Sequence, residues 1–135
     1  MSQSFTPFLT FQGGKAEEAM NFYCSIFPTG RINRISRYAA GMPGPEGTVM
    51  SAEFSLGNQS FLVSDSYITH TWDFTPAISI FVSFALGDEL DAAFSALAEG
   101  GRVYMPIDNY GFSERFGWVG GRFGVTWQLN LGSVG

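Results

Sequence analysis

The sequence predicts an α+β fold made of two consecutive modules, each with the order strand, helix and three strands. Two observations lead to this prediction. Stretches with strand-like and helix-like spacing of apolar residues follow one another in the same order twice, at a period of about 70 residues. Neither half alone is large enough to cover its own sheet. We therefore expect one domain over residues 1–135, with module one at about 5–66 and module two at about 77–131.

The first module begins with a short predicted strand at residues 5–12, which ends at the Gly13-Gly14 pair. A helix is predicted over residues 15–27 because apolar residues recur there at helical spacing. Glu17 and Glu18 fall in its first turn, where the helix dipole favours acidic side chains. The module thus starts as a strand followed by a helix.

Three strands follow this helix. A loop rich in glycine and proline at residues 41–47 separates the first strand from the second, and Gly57-Asn58 marks a hairpin turn before the third. In the second strand, Met50, Ala52 and Phe54 alternate with polar residues and are predicted to be buried. Ile32 and Ile35 break strict alternation in the first strand. The predicted strands are residues 31–38, 50–56 and 61–66.

The second module repeats this order after a polar and aromatic connector at residues 67–76. Alternating apolar residues predict a strand at 78–83, and helical spacing predicts a helix at 88–98 that ends before Gly100-Gly101. Three further strands complete the module. They are predicted at residues 103–107, 116–119 and 125–131.

Composition excludes several classes of protein. The formal charge is −5 and the seven basic residues are scattered, so we expect no nucleic acid and no anionic lipid as a partner. No apolar run approaches the roughly 20 residues of a membrane helix, and no signal peptide is recognisable, so we expect no membrane insertion. A single cysteine, Cys24, fits a reducing compartment. We therefore predict a cytoplasmic protein.

Strand alternation also predicts which side chains face away from the helices. If Leu9 packs under the first helix, its neighbours on the strand point to the other side. The shared concave face should then combine phenylalanine rings with hydroxyls and amides, a lining typical of small-molecule sites. The side chains assigned to it are Phe8, Thr10, Gln12, Ser79, Phe81, Ser83, Thr126, Gln128 and Asn130.

Several segments resemble one known family, in the right order along the chain. They are residues 7–11, 16–19, 21–23, 37–38, 43–45, 74–79, 116–119 and 122–129. The chain is similar in these segments to PhnB-like proteins of the vicinal oxygen chelate superfamily, which includes glyoxalase I, bleomycin-resistance proteins and extradiol dioxygenases. The resemblance implies the glyoxalase/bleomycin resistance-type fold, with mainly antiparallel sheets curled around a cavity, and a homodimer.

Such sequences are also described as 3-demethylubiquinone methyltransferase-like. We do not expect that activity, because a methyltransferase that uses S-adenosylmethionine typically has a doubly wound sheet with a glycine-rich first loop. No G-x-G-x-x-G follows a predicted strand here.

The resemblance also implies where a metal would be held, since metal-dependent members place ligands on the first and last strand of each module. Here those positions offer Phe8 or Thr10, Ser64, Ser79 and Gln128, with Gln12 only after a shift of register. Neutral hydroxyls and amides bind divalent cations poorly. We therefore expect no metal and no cofactor.

Two residues are candidates for catalysis. Glu53 shares a strand face with Ser51 and Ser55; it either lines the cavity as an acid or base with a raised pKa, or faces solvent as a surface carboxylate. His70 lies in the connector and is either a general base at the cavity mouth or an exposed loop histidine. Cys24 is predicted to be a small buried residue rather than a nucleophile.

An aromatic clamp for a planar ligand is a further possibility, with core packing as the alternative for each ring. The rings concerned are Tyr110, Phe112, Trp118, Phe123 and Trp127, of which Trp127 has the parity of a core residue. Gln128 is predicted to contact ligand, since an amide can donate and accept hydrogen bonds. Its alternative role is to close a network with Ser79 or Thr10.

We therefore predict a metal-free protein that binds an unidentified small molecule. The predicted ligand-binding residues are Thr10, Ser64, Ser79, Phe81, Trp118 and Gln128. One alternative is a lyase, isomerase or dioxygenase-type enzyme that uses Glu53 and His70. Another is an antibiotic-sequestering resistance protein.

Overall fold

The order strand, helix and three strands occurs twice, as predicted, in a computed structural model that describes residues 3–132. The elements are β1 (Phe8–Gln12), α1 (Ala16–Ile26), β2 (Arg31–Arg37), β3 (Val49–Leu56), β4 (Gln59–Ser66), β5 (Ile80–Phe84), α2 (Gly87–Ala98), β6 (Arg102–Asp108), β7 (Phe116–Gly120) and β8 (Thr126–Leu131). The predicted α+β fold class is confirmed.

The two four-stranded sheets have the same topology. The first has the order β1-β4-β3-β2 and the second the order β5-β8-β7-β6. In each sheet the first and last strands of the module pair in parallel, while the other pairings are antiparallel. The sheets are therefore mixed and mainly antiparallel.

The chain divides into two compact units at Thr71 and Trp72, one for each module. The single domain over residues 1–135 stays a prediction, and residues 1, 2 and 133–135 lie outside the described part. Neither helix within residues 3–132 has the length and apolar character that are needed to span a bilayer.

The core of unit one lies between α1 and one face of its sheet. Met20 and Tyr23 of α1 are fully buried, and Tyr23 stacks on Phe54 at 6.0 Å between ring centroids. Phe54 in turn stacks on Phe61 at 5.0 Å. Because burial disfavours the phenolate, the pKa of Tyr23 is raised far above its usual 10.0.

The core of unit two is built in the same way. Leu90 and Leu97 of α2 are fully buried, as are Trp127 and Leu129 on the sheet beneath them. The aromatic residue Trp127 therefore belongs to the core and not to a ligand clamp, which corrects that part of the clamp hypothesis.

Irregularities in β2 and β3 change one sequence expectation and explain the broken alternation in the first of these strands. Met50 was expected in the core but is 38% exposed, because the register shifts between Ser36 and Arg37 and Val49 is buried instead. A second shift between Ile32 and Arg34 inserts Asn33 as an extra residue. This bulge explains why Ile32 and Ile35 are three residues apart.

Two predicted strands begin later than expected. β1 starts at Phe8 rather than at Phe5, and β5 starts at Ile80 rather than at Ile78. Phe5 and Ile78 are both largely exposed. Their apolar character alone therefore led to predicted strands that begin too early.

Candidate functional site

Each sheet has a face opposite its own helix, which we call the helix-free face. In unit one, Phe11 and Val63 are buried, so their strand neighbours Thr10 and Ser64 point to the helix-free face, where they lie opposite each other. Both side chains are half-buried. The structure thus brings together the two candidates predicted on the first module.

Four more predicted site residues share the corresponding face of unit two. Phe81 lies opposite Gln128, and Gln128 lies opposite Trp118 on its other side. Ser79 lies near the start of the same face, where its hydroxyl is 2.8 Å from that of Thr126. The alternation of residues along β5 and β8 therefore predicted correctly which face of the sheet Phe81 and Gln128 occupy.

Aromatic rings dominate this surface, and we call Phe81, Tyr104, Phe116 and Trp118 the aromatic face. Phe81 is 45% exposed, and its ring centroid is 6.4 Å from that of Phe116, which is buried beside it. Tyr104 packs on Trp118 at 5.5 Å, in the space that Gly120 leaves open. Tyr104 and Phe116 were not predicted as site residues, because the broken register of β6 hides the parity of Tyr104.

The indole N–H of Trp118 is buried and has no hydrogen-bond partner among the described residues. An unsatisfied buried donor costs about 1–3 kcal/mol of folding free energy. The neighbouring Gln128 is half-buried, and within residues 3–132 its amide forms no side-chain hydrogen bond. The aromatic face therefore combines flat apolar rings with unused hydrogen-bonding groups.

The hydroxyls at the start of β5 are satisfied internally. Thr126 Oγ1 donates to the carbonyl oxygen of Ile78 at 2.8 Å, which leaves Ser79 as the donor to Thr126. Ser79, which directly precedes β5, is thus hydrogen-bonded to Thr126 at the start of β8. Within unit two, the hydroxyl of Ser79 therefore pairs with Thr126 rather than with Gln128.

Glu53 lies on the helix-free face of unit one, since it is opposite Leu62 while its neighbours Ala52 and Phe54 are buried. Asn33 Nδ2 donates to Glu53 Oε2 at 3.0 Å and lies 2.8 Å from Ser55 Oγ. The carboxylate is half-buried and held by a neutral amide.

His70 lies elsewhere in unit one. Its backbone N–H donates to Gln12 Oε1 at 2.7 Å, and its Nε2 is 2.8 Å from Ser66 Oγ. Leu62, the partner of Glu53, is four residues from Ser66 on β4, which corresponds to about 13 Å. Glu53 and His70 are therefore not brought together as one catalytic pair.

A pocket of about 630 Å³ lies where β1 and β4 end. Its lining residues are Gln12, Gly13, Gly14, Pro45, Thr48, Asp65, Ser66, Tyr67, Ile68 and Thr69. Asp65 Oδ1 accepts from the backbone N–H of Ala16, and Thr48 Oγ1 donates to the carbonyl of Pro45. The carboxylate of Asp65 and the hydroxyl of Thr48 are therefore already engaged within the protein.

The other candidate residues are three aromatic residues of the predicted clamp and Cys24. Tyr110 and Phe112 pack on Phe116 at 6.2 and 4.9 Å, so they extend the aromatic face at one end. Phe123 is half-buried in the turn before β8. Cys24 is half-buried on α1, and burial raises the pKa of its thiol, which lowers its reactivity as a nucleophile.

A family model described as 3-demethylubiquinone-9 3-methyltransferase matches residues 3–130. The chain belongs to this family. A PhnB protein from Bacillus cereus is 48% identical, over 96% of this chain and 100% of that chain, with a TM-score of 0.92. Protein PA1353 from Pseudomonas aeruginosa is 28% identical, over 96% and 98% of the two chains, with a TM-score of 0.81.

The fold extends beyond the PhnB-like proteins. A glyoxylase/bleomycin resistance protein/dioxygenase domain from Frankia sp. EAN1pec covers 100% of this chain and 95% of its own, with a TM-score of 0.69 at 16% identity. The predicted glyoxalase/bleomycin resistance-type fold is confirmed. The comparison with curated proteins found no match to this chain.

The methyl transfer that names the PhnB-like family does not fit the described residues. Cofactors of the nucleotide type commonly bind at the carboxyl ends of a doubly wound parallel sheet. Here each sheet is mixed and has one parallel pairing. The described residues therefore lack the sheet arrangement at which a cofactor such as S-adenosylmethionine commonly binds.

The metal that the resemblance to the vicinal oxygen chelate superfamily implies does not fit either. The corresponding strand positions hold the neutral Thr10, Ser64, Ser79 and Gln128, and the hydroxyls of Ser79 and Thr126 satisfy each other. Within residues 3–132, no three side chains of His, Cys, Asp or Glu are grouped as metal ligands. A divalent cation would lack the formal negative charge that offsets its dehydration.

Proposed function

We propose that this PhnB-like protein binds a small, planar organic molecule at the aromatic face, without a metal, and that the molecule presents a hydrogen-bond acceptor to Trp118. The unpartnered, buried indole N–H of Trp118 carries the proposal. If the side chains that cover Nε1 move aside when the ligand binds, a ligand oxygen recovers the hydrogen bond that folding leaves unmade.

The surroundings of Trp118 support a planar ligand. Aromatic pairs gain about 0.5–1.5 kcal/mol from stacked or edge-to-face contacts, and the exposed ring of Phe81 is accessible to such a contact. Gln128 lies between Phe81 and Trp118 in the sheet, so its amide can donate or accept next to the same ligand. The separation of Glu53 from His70 favours binding over catalysis by that pair.

Two further parts of the proposal concern location and assembly. We propose that the protein functions in the cytoplasm, which the single half-buried Cys24 supports. We also propose a homodimer, as the resemblance to PhnB-like proteins implies. Sedimentation equilibrium tests the dimer: a mass of one chain across the concentration range contradicts it.

Two probes of nearly the same shape test the ligand class. Acetophenone carries a carbonyl where ethylbenzene carries a methylene, so only acetophenone can accept a hydrogen bond. Trp118→Phe should weaken acetophenone binding about tenfold and leave ethylbenzene binding unchanged, since one hydrogen bond contributes about 1.4 kcal/mol. Phe81→Ala should weaken both probes. The measurement is a titration followed by NMR.

Trp72→Phe is the matched control, because Trp72 is 53% exposed and lies in the connector outside the aromatic face. It should leave the affinity for both probes unchanged. Equal loss of acetophenone affinity in Trp118→Phe and Trp72→Phe, or no preference of the parent protein for acetophenone, contradicts the proposal.

A further inference from the structure

We propose that the helix-free face of unit one carries a second binding site, which takes a small zwitterion. The anionic group of the ligand contacts Arg34 and its ammonium group contacts Glu53. This site lies wholly within unit one, so it does not depend on the aromatic face of unit two.

The bulge in β2 creates the site. Ile32 lies opposite Phe54, and Arg34 lies opposite Glu53, so Asn33 is the extra residue between them. Asn33 contacts Glu53 and Ser55 on the helix-free face, and the residue after it, Arg34, lies on that face too. The bulge thus places an amide and a guanidinium side by side where regular alternation would place one of them.

Arg34 and Glu53 face each other across the strand pair but do not form an ion pair. Oppositely charged residues at directly opposed positions usually attract each other. Instead, Arg34 Nη1 donates to Ser51 Oγ at 3.1 Å, and Glu53 accepts from Asn33 at 3.0 Å. Within residues 3–132 neither has an ionic partner, whereas Arg37 on the same strand pairs with Glu17 at 2.7 Å.

The neutral side chains of Asn33 and Ser51 hold Glu53 and Arg34 in place. Arg31 Nε donates to Asn33 Oδ1 at 3.1 Å, and Asn33 Nδ2 also donates to the buried Ser55 at 2.8 Å, so the amide that orients Glu53 is itself fixed. Glu53 Oε1 accepts no hydrogen bond from the described residues, and most N–H groups of Arg34 are unused. Both charges therefore keep free hydrogen-bonding capacity on one surface.

The two charges select for a ligand that carries both signs. A simple anion gains from Arg34 but is repelled by Glu53, and a simple cation meets the reverse. A molecule with a carboxylate and an ammonium group forms a charge-assisted hydrogen bond with each residue. Small amino acids and related zwitterions have this chemistry.

The test uses β-alanine with propionate and ethylamine, each of which retains one of its two charged groups. Titrations followed by NMR at the side chains of Asn33 and Arg34 should give at least tenfold tighter binding of β-alanine than of either analogue. Arg34→Gln and Glu53→Gln should each weaken β-alanine binding about tenfold. The double variant Arg34→Glu and Glu53→Arg should restore much of the affinity that Arg34→Glu alone removes, since it exchanges the two charges.

Arg102→Gln and Glu114→Gln make the same changes of charge in unit two and should leave β-alanine binding unchanged. The site is disproved if β-alanine binds no tighter than its analogues, or if the unit-two variants weaken binding as much as Arg34→Gln and Glu53→Gln. Failure here leaves acetophenone binding at the aromatic face unaffected, so the two proposals are tested separately.

Discussion

The carboxylate of Asp65 accepts a hydrogen bond of 2.9 Å from the backbone N–H of Ala16, the first residue of α1. Its second oxygen accepts from the backbone N–H of Val49 at 2.8 Å. Lys15, at the N-cap position, makes no side-chain capping bond. A buried residue from the end of β4 therefore caps the helix and joins it to the start of β3.

Replacing Asp65 should strongly destabilise unit one. Asp65→Ala leaves two buried N–H groups without acceptors and should lower the free energy of unfolding by about 2–4 kcal/mol. Asp65→Asn keeps one acceptor and should cost less. Urea unfolding measures both, with Glu114→Ala at an exposed position as the control. A loss below 0.5 kcal/mol in Asp65→Ala contradicts this role.

Gly117 lies under the ring of Phe94, and a side chain there has no room. A Cβ at this position would lie 2.6 Å from Phe94 Cε2 and 3.0 Å from Ile107 Cγ1. Gly117→Ala should therefore cost about 1–3 kcal/mol through overpacking. Gly87→Ala at the first residue of α2, where the nearest side-chain atom is Arg115 Cδ at 3.9 Å, should instead stabilise the protein by about 0.4–1 kcal/mol because it restricts the unfolded chain. Thermal unfolding distinguishes these opposite signs.

Removing the unpartnered indole N–H of Trp118 should destabilise the ligand-free protein less than the loss of ring area alone would suggest. Trp118→Phe relieves an unmade hydrogen bond, so its cost should stay below about 1 kcal/mol, whereas a buried tryptophan truncated to alanine typically costs 3–5 kcal/mol. Urea unfolding without ligand is the measurement. A cost above 2 kcal/mol in Trp118→Phe would mean that the N–H has a partner.

Burial of Tyr23 predicts a loss of stability at alkaline pH. Because the pKa of Tyr23 is raised in the folded state, its contribution to stability is complete below pH 10 and falls as the pH rises above that value. From pH 10 to pH 11 the parent protein should lose about 1 kcal/mol more than Tyr23→Phe, which has no proton to release. Tyr67→Phe, at an exposed ring, is the matched control. Parallel pH profiles for the parent and Tyr23→Phe contradict the prediction.

The order of the elements could be read from the sequence because both helices bury one stripe and the strands alternate. Thr10, Ser64, Phe81 and Gln128 were placed on the correct faces for this reason. The bulge at Asn33 could not be predicted from strict alternation, although the three-residue spacing of Ile32 and Ile35 indicates an irregularity. Because an extra residue reverses the parity of every residue after it, alternation alone does not give the correct face for the residues beyond Asn33.

The unused hydrogen-bonding capacity of the candidate sites could not be read from the sequence. Whether Trp118 finds an acceptor, or Arg34 an acidic partner, depends on side chains from other strands in three dimensions. The alternation of residues along a strand predicts which face of the sheet a side chain occupies. Its partners on that face depend on the register between neighbouring strands. The two proposed sites therefore required the structure.

The indole resonance of Trp118 in a ¹H–¹⁵N correlation spectrum tests the proposed binding function most directly. On titration with acetophenone, the proton bound to Nε1 of Trp118 should move downfield as it acquires an acceptor, while the resonance of Trp72 stays in place. If the Trp118 resonance keeps its position up to the solubility limit of acetophenone, the aromatic face does not recognise an acceptor-bearing planar molecule and the proposed function is wrong.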